Sequence, residues 1–212
     1  MIYINISFTL LAIIIIVFIA QLVVPGFTDI FKFNPQALAP WQFITSIFLH
    51  STEDFNHIIF NTIGILMFGP YLEKRIGSKN FLILFLLAGI SGSLLYYITI
   101  LLGVIPPNSA YGASGAIYGI LGALSVLVPR LVIYFYFVPM PIRIATVLWI
   151  LIELLGSFNP YSKIASAAHL GGLLFGIVFG LWYRNKVPGP ESRVLNSESR
   201  NPSNVPKGYF ED

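Results

Sequence analysis

The stretch NSAYGASGAIYG, residues 108–119, breaks a very apolar chain with a small polar residue, Ser114, between glycines at 112 and 115. Gly119 follows four residues past the second of them. Two readings compete for Ser114. It is either a small residue that lets two helices touch or a nucleophile, and the fold has to be worked out before the choice can be made.

Composition identifies the solvent. Of the 212 residues, 56% are hydrophobic and 10% charged, against about 25% charged in ordinary soluble domains. The mean hydropathy is +0.81. A soluble chain of this length could not hide that much apolar surface, so lipid surrounds most of it. There is no cysteine, which excludes disulfides and thiolate metal sites. The net charge of +3 is small, and no nucleic-acid partner is expected from it.

Six spans are expected, at about 8–24, 55–72, 81–102, 113–128, 142–155 and 165–183, each an apolar run bounded by charges, prolines or glycines. They make an all-α, polytopic membrane domain over residues 1–186. The stretch before the fifth span, YFYFVPMPIRI (134–144), is rich in aromatics and proline. The N-terminal run lacks a basic leader and an Ala-x-Ala pattern, so it reads as a retained first span rather than a cleaved signal peptide. Residues 187–212 are polar and rich in Pro, Ser and Asn, and read as a disordered tail. No internal repeat is visible, which counts against repeat-built transporter folds.

Lys and Arg set the orientation. Six spans put both termini on one side, together with the second-to-third and fourth-to-fifth loops. That side holds Lys74, Arg75, Lys79, Arg130, Arg143, Arg184, Lys186, Arg193, Arg200 and Lys207, whereas the other holds only Lys32 and Lys163. The positive-inside rule makes both termini cytoplasmic. No Arg-rich transit segment is present, which favours the cell membrane. The outward segment 26–54, rich in Phe and Trp, is expected to lie in the membrane interface.

Length then fixes depth. Residues 113–128 span about 24 Å, short of a hydrocarbon core of about 30 Å. With the inner end held at Pro129-Arg130, Ser114 lies roughly 6 Å below the outer surface. Irregular backbone at that depth is tolerated only inside protein or along a water-filled cavity, so a cavity is expected at Ser114. His169, four residues into the sixth span, reaches a similar depth from the same side. His169, Gly172, Gly176 and Gly180 form one helical stripe, as do Gly115, Gly119 and Gly122. Such stripes let membrane helices pack backbone to backbone, close enough for a hydroxyl to meet an imidazole.

The second span carries another polar stripe: His57, Asn61, Gly64 and Phe68. Polar residues inside the bilayer are costly and are functional candidates. With Ser114 they suggest acyl transfer. His169 would be general base and then acid, and Tyr118, one turn after Ser114, would pack on its ring. The Ser114 backbone N–H, His57 and Asn61 would receive the oxyanion. Plainer readings stand beside these. Backbone packing alone selects a serine among glycines, and His57 with Asn61 can be interhelical hydrogen-bond glue. Zinc on His50, His57 and His169 would lack the His-Glu-x-x-His pattern, so no metal is expected. Glu153, in the fifth span, reads as a proton-relay carboxylate or as a side chain snorkelling to the interface.

Together these residues resemble the rhomboid family of intramembrane serine proteases, over roughly residues 41–183. Gly112-Ala113-Ser114-Gly115 resembles its Gly-x-Ser-Gly motif, with Tyr118 at the later position. Ala168-His169 with Gly172 and Gly176 resembles its Ala-His-x-x-Gly-x-x-x-Gly helix. HSTEDFNHIIFN (50–61) is similar to the His-rich start of its second helix, and FGPYLEKRIGS (68–78) to the end of that helix. The resemblance implies a six-helix bundle with an active-site cavity inside the membrane and a Ser114–His169 dyad without an essential third carboxylate. It places His57 and Asn61 in the oxyanion hole and gives Glu73 a structural role. It also implies no cofactor and no required oligomer. The substrates would be transmembrane proteins, approaching laterally between the second and fifth spans, beneath a cap formed by Gly156, Ser157 and residues 158–163. Gln42 follows Trp41 where many members carry Arg, which bears on the lipid contacts of the first loop. Outside proteolysis, a small transporter would need polar groups along a path to both sides, and a client-helix binding protein would keep its function without Ser114.

Overall fold

The computed structural model describes residues 5–135, 137–159 and 165–186. The expected tail at 187–212 and residues 160–164 of the expected cap lie outside the described residues. Among the described residues the longer helices are α1 (Ile6–Val23), α4 (Phe55–Ile76), α5 (Ser78–Leu101), α6 (Ser114–Leu127), α7 (Ile142–Gly156) and α8 (Ser166–Lys186). Two short helices, α2 (Phe27–Phe31) and α3 (Gln42–Thr45), and a 3-10 turn at Ser46–Phe48 fold the first loop. By length and composition α1, α5 and α8 can each cross a membrane. The 14 residues of α6 and 15 of α7 extend only about 21–23 Å, and α4 carries too many polar groups to qualify on composition. Large apolar side chains such as Phe60, Met67 and Val178 point outward, as they must where the solvent is lipid.

Of the six, α6 lies deepest, with nine of its residues buried, from Gly115 to Leu124. It packs against both α5 and α8, which also pack on each other, and the packing depends on absent side chains. A Cβ on Gly172 would land on the Gly115 carbonyl, and one on Gly176 on the Gly119 carbonyl. On α5, a Cβ on Gly92 would come within 2.6 Å of the Ala168 carbonyl oxygen. The glycine stripes therefore act as a backbone-to-backbone seam.

The ends of the helices are tied as deliberately. Asn5 caps α1 by accepting the Ser7 N–H at 3.1 Å, and Asp54 caps α4 by accepting the Asn56 N–H at 3.0 Å. Glu73, near the end of α4, accepts the N–H groups of Ile6 and Ser7 at 2.7 and 2.8 Å. It also accepts the hydroxyls of Ser7 and Ser78, both at 2.6 Å. One carboxylate thus satisfies orphan donors at the start of α1 and ties α1, α4 and α5 together. Glu73→Ala should destabilise the fold by about 3 kcal/mol, since bonds to a charged group are worth roughly 1.5–3 kcal/mol each and several are lost. Thermal unfolding in detergent measures it, with Glu73→Gln expected to fall between the mutant and the wild type.

The all-α expectation needs one correction. β1 (Val132–Phe135) and β2 (Val138–Pro141) form an antiparallel hairpin between α6 and α7. Helix is denied here by Pro139 and Pro141, which lack N–H donors and crowd the preceding turn. The β-branched and aromatic run Val132-Ile133-Tyr134 suits a strand instead. Phe137 takes φ 68°, a positive angle of the kind two-residue hairpin turns require.

The first loop is also more folded than an interfacial segment needs to be. Phe33 is buried against Phe43, Tyr96 and Tyr97, while Trp41 stays exposed. Phe33 pairs with Ala110 as an isolated bridge, which fastens the loop to the segment leading into Ser114. Gln42 turns inward, its side-chain oxygen accepting the N–H groups of Asn34 and Ala39 at 3.1 and 3.3 Å.

Candidate active site

Ser114 opens α6 and His169 lies in the first turn of α8. Because the glycine seam brings those two helix starts together, Ser114 Oγ stands 2.7 Å from His169 Nε2. Tyr118 stacks on the imidazole, ring centroids 4.5 Å apart and planes 8° from parallel. The other ring nitrogen, Nδ1, is 3.0 Å from Glu153 Oε1, and the Tyr118 hydroxyl donates to the same oxygen at 2.5 Å. An ionised carboxylate only accepts, so Nδ1 carries the proton and Nε2 is left to accept the Ser114 hydroxyl.

The neighbourhood of Gly112 explains its identity twice over. Its φ of +136° is denied to L side chains, and a Cβ there would lie 2.6 Å from His57 Nε2. The Gly112 N–H donates to the Ser46 carbonyl at 2.9 Å, so the turn into α6 is held on both sides. The Ser51 N–H donates to His57 Nδ1 at 3.3 Å. That assigns the His57 proton to Nε2, the nitrogen facing Gly112. His50 lies behind, buried, its ring 5.1 Å from that of His57. Burial pushes the His50 imidazole down to about 4, with His57 adding to the effect and the Phe48 carbonyl opposing it. A neutral His50 lets the two rings pack without repulsion. A cavity of about 30 Å³, bounded in part by Ser46, Ser93, Tyr96, Gly112 and Ser114, opens beside the serine, room for about one water.

Asn61 is tied to its own helix. Its amide Nδ2 donates to the His57 carbonyl one turn back at 2.7 Å, and its Oδ1 is buried without a partner. Among the described residues no three His, Asp or Glu side chains converge as a metal site requires.

Glu153 is the residue whose place the sequence did not reveal. It is buried against His169 and Tyr118, not extended to the interface. The one available signal was its cost: a carboxylate in a membrane helix demands partners. Nothing in its spacing named them, because they come from two other helices.

These features define a polytopic membrane protein with a hydroxyl, an imidazole and a carboxylate linked inside its helix bundle. Residues 37–186 match the family model of the Rhomboid domain. The chain is 34% identical to Rhomboid protein 1, mitochondrial, of Saccharomyces cerevisiae over 166 residues, 74% of this chain and 46% of that protein. It is 35% identical to the Rhomboid protease GluP of Bacillus subtilis over 140 residues, 64% of this chain and 24% of that protein. To the putative rhomboid protease YdcA of the same organism it is 38% identical over 88 residues, 42% of this chain and 41% of that protein. The matches thus cover between a quarter and a half of these relatives. The chain is an integral membrane protein that belongs to the rhomboid family.

Proposed function

We propose that this protein is an intramembrane serine endopeptidase that cleaves transmembrane segments of other membrane proteins. The 2.7 Å hydrogen bond from Ser114 to a His169 whose far nitrogen is protonated carries the reading. Ser114 Oγ attacks the scissile carbonyl as its proton passes to Nε2. The oxyanion is received by the Ser114 N–H, unpaired at a helix start, and by the His57 Nε2–H. Asn61 joins them once its amide swings from the His57 carbonyl. As the C–N bond breaks, His169 returns the proton to the leaving amine, and water, activated by the same nitrogen, releases the acyl group.

In this reading all six longer helices span the bilayer, both termini face the cytoplasm, and the cell membrane is the site of action. No cofactor and no oligomer are required. Substrates approach laterally between α4 and α7, with the loop after Gly156 as a cap. The proteases among the relatives support the reaction class.

His57→Ala should lower kcat by about 10²- to 10³-fold, the usual loss for one oxyanion donor, with little change in thermal stability. Turnover of a fluorogenic transmembrane peptide in liposomes measures it. The reading itself is tested by intact mass after a fluorophosphonate probe, on wild type, Ser114→Ala and His169→Ala. One adduct on wild type, absent from both variants, is the expected result. A folded wild type that takes no adduct would leave the client-helix binding function in its place.

A further inference from the structure

Glu153 takes no proton in the mechanism above, yet it lies directly against the far nitrogen of the catalytic histidine. Its side chain is 6% exposed on α7, a helix of otherwise apolar residues apart from Arg143 and Thr146. A carboxylate in such a place is costly unless its neighbours compensate. Two do: His169 Nδ1 at 3.0 Å and the Tyr118 hydroxyl at 2.5 Å. Ser166 lies one turn before His169 on α8, and a Cβ on Gly156 would meet its Oγ, so the end of α7 is pressed against the start of α8.

We propose that Glu153 is a positioning residue for His169, completing a Ser114–His169–Glu153 line of hydrogen bonds; this rests on the dyad reading. The imidazole is constrained three ways. Nε2 faces Ser114, Nδ1 faces the carboxylate, and Tyr118 lies flat against one face. The Glu153 oxygen selects the tautomer in which Nε2 accepts from the serine. It also supplies a fixed negative charge at the moment His169 becomes an imidazolium. Because the carboxylate is buried, that charge acts more strongly on the imidazolium than it would in bulk water. The Tyr118 hydroxyl shares the same oxygen, so the residue that stacks on the base also aims the carboxylate. The proton stays on Nδ1 throughout; Glu153 accepts the hydrogen bond and is not protonated.

The test compares wild type, Glu153→Gln and Glu153→Leu in liposomes, with kcat and KM determined separately on a fluorogenic transmembrane peptide. Glu153→Leu removes both acceptor and charge and should cost about 10²-fold or more in kcat, within the span of general acid–base catalysis, with KM within about threefold. Glu153→Gln keeps the shape and an acceptor oxygen but not the charge, and should cost about 10-fold, since a neutral acceptor bonds more weakly than a charged one. In detergent, ¹⁵N-histidine spectra should show His169 protonated at Nδ1 in wild type and as a tautomer mixture in Glu153→Leu. Should Glu153→Leu fail to fold, the isosteric Glu153→Gln decides. Wild-type kcat in a folded Glu153→Gln, or a loss confined to KM, would overturn the proposal and leave the dyad standing. A wild type that neither cleaves nor takes a fluorophosphonate adduct would overturn both.

Discussion

Ser114→Ala is expected to yield a folded membrane protein that has lost cleavage by about 10⁴-fold or more, because no other group can form the acyl bond. The substitution is small, and Ser114 is only part-buried at the start of α6. Among the described residues the hydroxyl's hydrogen-bond partner is His169 Nε2. Thermal unfolding within about 2 °C of wild type, together with retained binding of a substrate helix, would separate loss of chemistry from loss of fold. The measurement is gel-based cleavage of a transmembrane substrate in liposomes. Residual turnover near wild type would mean that the nucleophile lies elsewhere.

Gly172→Val should have the largest effect on stability. The new Cβ would occupy the position of the Gly115 carbonyl oxygen, and a backbone carbonyl on a buried helix cannot rotate away. The α6–α8 seam would have to open, at a cost of about 4 kcal/mol or more, in the range reserved for severe packing faults. Because the seam sets the Ser114–His169 distance, any protein that does fold should also fail to label with a fluorophosphonate. Val178→Ala, on the exposed face of the same helix, is the control and should unfold within about 2 °C of wild type. A Gly172→Val protein as stable as that control would show that the seam is not what holds the bundle.

How much of this was legible beforehand differs from residue to residue. The helix positions were readable because apolar runs of membrane length have few alternatives in lipid. The hairpin at Val132–Pro141 was not read as one, although its prolines and aromatics were noticed, because a short apolar run between spans has no periodicity to decide it. The proximity of Ser114 and His169 was allowed, though not required, by two local quantities, depth along a helix and the spacing of glycines. Both can be counted in sequence, and the 2.7 Å contact joins residues that such counting had already put at one level.

Rotation about the helix axes was a different matter. Spacing on α7 does not reveal which partner its polar residue meets, so Glu153 was left between a proton-relay and an interface reading, whereas it lies buried on His169 and Tyr118. Nor does spacing show that Asn61 turns its amide to the His57 carbonyl. Lipid as the solvent, the approximate helices and the faces on which two helices can touch could be read early, since each depends on local composition and period. Which third helix closes on the Ser114–His169 pair, and which nitrogen of His57 and of His169 holds its proton, was settled by tertiary packing alone. Those depend on hydrogen bonds between groups 35, 16 and 6 residues apart, and such bonds exist only once the helices have taken their rotations.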